Sequence, residues 1–192
     1  MIRCKEINLM SKDYYDITLA GVKRSLQLFE VAPGLRIAVL NILGDTELVE
    51  ACATELAKKL ENVDYDVMIT AESKSIPITH ALSVRTGKPY AVCRKSYKTY
   101  MGNAIRSTSN SITTQSEQTL LLDEKDIQLI KGKKVLYVDD VISTGSTKQA
   151  IESILEQAGA QPDPKALAIC VEGSEDAWPD VICLGHLPLF KD

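Results

Sequence analysis

The sequence predicts an α/β fold: a parallel sheet of about five strands flanked by helices on both faces, preceded by a small β-rich segment. Three observations carry this expectation. An apolar strand, a short polar loop and a helix follow one another twice, from Val67–Thr70 into a helix near Pro77 and from Val135–Val138 into a helix ending at Gly159. Such alternation favours parallel pairing through helical crossovers. Residues 14–28 instead alternate apolar and polar side chains, the period of antiparallel strands. A chain of 192 residues, 45% hydrophobic and 25% charged, is also enough for one domain with a real core. The expected division is a β segment over 1–44 and the α/β core over 45–192, in a single structural domain overall.

In chain order, Tyr15, Ile17 and Leu19, then Val22, Arg24, Leu26 and Leu28, mark a hairpin turning near Gly21. Pro33-Gly34 marks a second turn and Leu35–Leu40 a third strand. Gly44-Asp45-Thr46 opens a helix to about Leu60, with Leu48, Val49, Cys52, Leu56 and Leu60 on one face. Asp45 is its expected cap, with Thr46 as second choice. After Val67–Thr70 comes the loop Ala71–Ser75, then a helix with Pro77 in its first turn, where the missing N–H is harmless. The strand Tyr90–Cys93 runs into Arg94, Lys95 and Lys98, which read either as a solvated edge or as anion ligands. Ser96–Gln118 is polar and rich in Ser, Thr and Asn, so it is expected to be disordered or a lid. A small helix over Glu124–Ile130 follows Leu120-Leu121-Leu122. Ala166–Val171 and Val181–Leu184 supply two more strands, and Leu187–Phe190 is expected to join the N-terminal β segment.

The stretch from Lys134 to Thr147 organises the rest. Its strand ends in two carboxylates, Asp139 and Asp140, followed by the small-residue run Ser143 to Thr147 and then a helix. Backbone N–H groups of such a loop at a helix N-terminus bind an anion, helped by the helix dipole. Gly145 and Ser146 leave the backbone accessible, while Thr144 and Thr147 offer hydroxyls. Carboxylates suit sugar hydroxyls or a magnesium shell rather than a phosphate. Together they describe a ribose 5-phosphate site. A Walker B pair is disfavoured because no Gly-x-x-x-x-Gly-Lys-Ser/Thr occurs, and no Gly-x-Gly-x-x-Gly marks a dinucleotide fold. A solvated acidic turn before an ordinary helix cap is the plain alternative.

Composition narrows the function classes. With 22 basic and 26 acidic residues the net charge is −4, which argues against a nucleic-acid partner. No apolar run is long enough to span a membrane or resemble a signal peptide. The five cysteines are odd in number and without Cys-x-x-Cys spacing; Cys93, Cys170 and Cys183 lie in apolar runs and read as small core residues. A reduced, cytoplasmic protein is expected. His80 and His186 lack a partner acid or cysteine at suggestive spacing, and Trp178 reads as packing.

Val138 through Thr147 resembles the phosphoribosyl pyrophosphate motif of type I phosphoribosyltransferases, and the resemblance covers most of residues 45–172. It implies that Asp139 and Asp140 meet the ribose hydroxyls and that Ser143, Thr144, Gly145, Ser146 and Thr147 bind the 5-phosphate. Glu72-Ser73-Lys74 resembles the acid-Ser-Arg of adenine phosphoribosyltransferases, and Arg94-Lys95-x-x-Lys98 their Arg-Lys-x-x-Lys. These residues form the implied pyrophosphate site, with Lys74, Lys95 and Lys98 as the catalytic charges. Lysine at 74 keeps the charge of arginine but loses its two-pronged geometry. Ser146 replaces a second glycine common in the family, which is tolerable if the backbone there needs no positive φ. The family often carries a non-proline cis peptide in the loop corresponding to 71–75. The resemblance further implies an N-terminal hood over the base, a lid over 96–118 and a homodimer. Mg²⁺ would be bound through the substrate pyrophosphate, with Asp139 and Asp140 as further ligands. Glu172 either borders the base or is a surface acid. The implied activity is purine salvage from phosphoribosyl pyrophosphate and a purine base, adenine first, giving AMP and pyrophosphate. Ser111–Ser116 resembles a segment of xanthine phosphoribosyltransferases, which keeps a 6-oxopurine as an alternative. A phosphoribosyl pyrophosphate-binding regulator without catalysis is the other.

Overall fold

The computed structural model describes residues 13–110 and 117–191; Cys4 and the 111–116 segment lie outside them. Tyr14–Leu19 (β1) and Val22–Ala32 (β2) pair antiparallel, with Leu19 opposite Val22. That register leaves Ala20-Gly21 as a two-residue turn with φ of 50° and 81°, the primed geometry whose twist matches a hairpin. Leu35–Ala38 (β3) pairs with β2 and is shorter than the expected 35–40 strand. The chain leaves the ladder there because Leu40 and Ile42 are drawn into the core.

Asp45 caps Thr46–Lys59 (α1) by accepting from the Leu48 amide at 3.2 Å. Arg24 of β2 forks onto the same carboxylate at 2.7 and 2.8 Å, tying the N-terminal sheet to the first core helix.

Next come Val67–Ala71 (β4), Ile76–Thr86 (α2) and Tyr90–Cys93 (β5). The polar stretch after them is more ordered than its composition suggests. Beyond a 3₁₀ turn at Thr99–Met101, Ile105–Asn110 (β6) and Glu117–Leu122 (β7) form an antiparallel ribbon. It is fixed to the end of β5 by two backbone hydrogen bonds of 2.8 Å between Arg94 and Leu121. Buried Leu120 and Leu122 anchor it in the core, which supplies what the Ser/Thr-rich strand lacks. Glu124–Ile130 (α3) then leads to Val135–Ile142 (β8).

Strand β8 runs on through the two acids instead of ending before them. Asp139, Val141 and Ile142 stand opposite Ala168, Cys170 and Val171 of Lys165–Glu172 (β9), whose ladder extends that far. Between them lies Ser146–Gln157 (α4). Val181–Ile182 (β10) and Gly185–Leu187 (β11) pair with successive parts of β9. Leu189–Lys191 (β12) crosses back to β3, so the hood-like sheet has the order β1-β2-β3-β12.

The central sheet is parallel, in the order β10-β9-β8-β4-β5 with β11 beside β9. Side chains alternate across it as a pleated strand requires. Met68, Leu136, Val138, Leu167 and Ile169 face α1, α2 and the hood sheet. Val67, Ile69, Val135, Tyr137 and Ala168 face α4 and the ribbon. Both faces are therefore covered, as the sequence predicts. Cys52, Cys93 and Cys170 are buried free thiols, whereas Cys183 is only half-buried, at the short irregular link between β10 and β11.

Candidate active site

Strands β4 and β8 are neighbours, but β4 leads through α2 to β5 on one side while β8 leads through α4 to β9 on the other. The crevice outside the carboxyl ends of two such strands is where open α/β sheets place ligands. Here that crevice receives two loops, Glu72–Ser75 from β4 and Ser143–Gly145 from β8.

Ser75 joins them. Its hydroxyl lies 2.6 Å from Asp139 Oδ1 and 3.0 Å from Asp140 Oδ1, its one proton serving either, and it accepts from the Asp140 amide at 2.9 Å. Tyr137, buried one layer below, donates its phenolic proton to Asp139 Oδ2. The Lys74 ammonium stands 2.8 Å from Asp140 Oδ2, near enough for an ion pair but at an angle that leaves this buried oxygen without a hydrogen bond.

Asp139 is crowded by protein on every side but the crevice. Burial first, then the charge of Asp140, pushes its carboxyl up to about 7, against the opposing pull of the Ser75 and Tyr137 hydroxyls. Burial likewise drives the Tyr137 phenol well above its usual range, and both acids add to that shift.

The β4 loop contains a cis peptide between Glu72 and Ser73. Glu72 accepts from the Lys95 amide at 2.5 Å and from Arg94 Nε at 2.6 Å. Burial would raise its carboxyl, but these two donors outweigh burial and hold it below the usual carboxylate range. A cavity of about 220 Å³ is lined by Glu72, Ser73, Lys74, Ser75, Lys95, Asp139, Asp140 and Thr147. The structure thus brings Lys74 and Lys95 to the acid pair. It does not bring Lys98 or Arg94 to that lining: Lys98 opens the 3₁₀ turn, and Arg94 is engaged with Glu72.

A second cavity, about 190 Å³, adjoins the first through Asp139 and Thr147. Tyr137 and the whole run Ser143 to Thr147 line it. Gly145 begins α4 at φ +78°, a left-handed conformation that glycine adopts freely. No side chain caps this helix, whereas Asp45 and Asp123 cap α1 and α3. The first-turn N–H groups of α4 therefore open toward the crevice unpaired by any cap. Among described non-glycine residues, Ala20 and Asp163 have positive φ and Ser146 does not, so serine meets the backbone condition at that position. Thr144 Oγ1 bonds Ser146 Oγ at 3.3 Å. Ser143 departs from expectation: its hydroxyl donates to Glu172 at 2.6 Å, leaving its backbone for any anion. Glu172 is itself buried, so it is no surface acid.

A larger cavity of about 860 Å³ lies behind α4, against β10, and contains neither acid nor any residue of the 143–147 loop. Donor chemistry, not volume, therefore locates the site.

The family model of the phosphoribosyl transferase domain matches residues 39–174, a span that contains both loops, the acid pair and Lys95. The chain belongs to this phosphoribosyl transferase family. Hypoxanthine/guanine phosphoribosyltransferases of Methanothermococcus okinawensis and Methanotorris igneus are 38% and 36% identical to it over 118 and 115 residues. Those matches cover 62% and 60% of this chain and 60% and 59% of the relatives, so the chain spans about 60% of the length of the curated relatives it matches. Among solved structures, adenine phosphoribosyltransferase from Thermoanaerobacter pseudethanolicus superposes with a TM-score of 0.65 at 20% identity, covering 90% of this chain and 95% of that one. The Giardia lamblia enzyme complexed with 9-deazaadenine gives 0.64 at 17%, covering 90% and 93%. At such identity the likeness is one of fold.

Within this phosphoribosyl transferase fold, sequence reasoning missed Ser75, Tyr137 and Trp178. Ser75 stands 64 residues from Asp139, and a serine at a helix start reads as a cap. Tyr137 sits in an apolar strand and reads as core. Trp178 donates its indole N–H to the Ser143 carbonyl at 3.1 Å, a contact with no local signature.

Proposed function

We propose that this chain transfers ribose 5-phosphate from phosphoribosyl pyrophosphate to a ring nitrogen of a free purine, releasing pyrophosphate. One observation carries the reading: the uncapped start of α4 opens beside paired carboxylates and faces Lys74 and Lys95 across one crevice. In this reading the α4 amides hold the 5-phosphate and Asp139 and Asp140 hold the ribose diol. The C1–O bond breaks with its electron pair leaving on pyrophosphate, the purine nitrogen's lone pair forms the new C1–N bond, and the nitrogen's proton goes to solvent.

Charge that builds on the departing pyrophosphate is met by Lys74 and Lys95. Holding the sugar by both ends lines C1 up with the attacking nitrogen. Among the described residues no group of three or more His, Cys, Asp or Glu can cage a metal. Two carboxylates with a substrate phosphate, however, are the donor set Mg²⁺ favours, and Asp140 Oδ2, which accepts no hydrogen bond and has only the Lys74 ammonium beside it among the described residues, suits it. Bound there, Mg²⁺ would neutralise pyrophosphate charge. Lys98, Arg94 and Ser73 remain in the proposed pyrophosphate site, and the homodimer remains part of the proposal from the resemblance.

The base is the open term. The relatives at 36–38% identity are named for hypoxanthine and guanine, while the adenine enzymes share only the fold. A 6-oxopurine therefore stands beside the expected adenine. Pyrophosphate release from phosphoribosyl pyrophosphate and Mg²⁺ should be measured with adenine, hypoxanthine, guanine and xanthine in turn. Release with any of these supports the reaction and names the base. Binding without release on all four points to a regulator.

A further inference from the structure

The connection that follows β9 reaches the phosphate loop from behind. Glu172 accepts the Ser143 hydroxyl proton at 2.6 Å, and Trp178 donates its indole N–H to the Ser143 carbonyl at 3.1 Å. The six-membered ring of the same indole lies against Gly145. A Cβ on that glycine would stand 2.4 Å from Cη2 and 3.1 Å from Cζ2 of Trp178. Ser143 is thus held by hydroxyl and carbonyl at once, and Gly145 is backed by an aromatic ring. The loop's N–H groups are left to face the crevice.

The root of this connection is itself tied down. Gly173 donates its amide to the Leu187 carbonyl at 3.1 Å, and its own carbonyl lies 2.6 Å from His186 Nε2. Both partners belong to β11, one residue from the strand that completes the hood sheet.

We propose that Trp178, acting with Glu172 through Ser143, is a positioning residue that sets the phosphate-binding geometry of the 143–147 loop. This rests on the reading of that loop as the 5-phosphate site. Neither side chain needs to touch the substrate. The pair fixes the peptide planes of Ser143 and Gly145, which determine where the first amides of α4 point. A loop without this backing would still form, but would spend binding free energy on ordering itself.

Trp178 is the sole tryptophan of the chain, so the protein carries its own reporter. Intrinsic emission of the full chain should be followed while ribose 5-phosphate, and separately phosphoribosyl pyrophosphate with Mg²⁺, is titrated in. Calorimetry on the same samples measures binding independently. Saturation is expected to change the intensity or wavelength of emission. Trp178→Phe keeps a ring against Gly145 and loses the N–H. It should raise KM for phosphoribosyl pyrophosphate about fivefold, as loss of one hydrogen bond does, with kcat and the KM for the base nearly unchanged. Trp178→Leu should raise it further, and Glu172→Gln combined with Trp178→Phe should be non-additive because both act on Ser143. Thermal melts check that each variant is folded.

Suppose calorimetry shows tight binding while emission stays constant and a folded Trp178→Phe keeps its KM. The inference then fails and the proposed function stands. If calorimetry shows no binding of either ligand to the wild-type chain, the function fails and takes the inference with it.

Discussion

The Asp139 carboxyl meets Ser75 on one oxygen and Tyr137 on the other, with the Asp140 carboxyl beside it. Raised to about 7 from an unfolded value near 3.8, it takes up a proton more readily in the folded state than in the unfolded chain. Its contribution therefore favours folding fully below about pH 4 and is lost as pH rises through 7. Asp139→Asn removes the charge and should raise the melting temperature at pH 8 by a few degrees, on the scale of about 2–4 °C per kcal/mol for a chain this size. The gain should shrink toward pH 4. Scanning calorimetry of both proteins between pH 4 and 8 decides it, and an offset independent of pH would sink the account. The same residue shows why an acid pair that weakens the free fold is kept. Asp139→Asn with Asp140→Asn should lower pyrophosphate release by about 10²–10³, the scale of losing preorganised groups at a reacting centre, while the fold persists. Near-normal turnover of the double variant would refute the site.

At the scale of elements, the strand–loop–helix units are legible because each joins a β-branched apolar run to a helix with a clear stop or start. Val135–Val138 before Ser143–Thr147 and Val67–Thr70 before Pro77 are such units. The β6–β7 ribbon is not legible. Its first strand offers Ser and Thr where an apolar alternation would announce a strand, and its burial is supplied by Leu120 and Leu122 far along the chain. The extension of β8 through its acids is hidden for a similar reason, since the pairing of Asp139 with Ala168 belongs to a neighbour rather than to local propensity. Helix α4 supplies the element-scale test. Gly145→Ala places a Cβ at φ +78° and drives it into the Trp178 ring. The backbone term alone costs about 1–2 kcal/mol. The expected result is a lower melting temperature together with a KM for phosphoribosyl pyrophosphate raised about tenfold or more, the equivalent of 1.4 kcal/mol per decade. Unchanged KM would show that the loop does not hold the phosphate.

Across the whole molecule, the hood sheet is assembled from both ends of the described chain and fastened to the core by side chains that no local pattern couples. Its hairpin is legible from alternation; of the 187–190 segment expected to join it, Leu189 and Phe190 do so, while Leu187 stays paired with Glu172 of β9. The Arg24 fork onto Asp45 is not, because Asp45 reads as a helix cap and an arginine within a strand reads as surface. The outermost strand is the part that can be removed cleanly. Among the described residues Leu189–Lys191 pairs with β3 alone, and Phe190 packs edge-on against Tyr15 with ring centroids 5.5 Å apart. Ending the chain after Pro188 forfeits the burial of the half-buried Phe190, about 1–1.5 kcal/mol, and with it roughly 4 °C of melting temperature. Neither crevice cavity is lined by a residue of Leu189–Lys191, so the loss leaves the loops and the Ser75–Asp139 contact in place. If the hood closes over the base, as the family resemblance implies, the truncation should raise KM for the purine severalfold while KM for phosphoribosyl pyrophosphate moves little. Steady-state kinetics with each substrate varied in turn separates the two constants. An equal rise in both would mean that the hood sheet steadies the whole crevice rather than the base alone, and a stable truncation with both constants intact would mean that β12 has no part in closure.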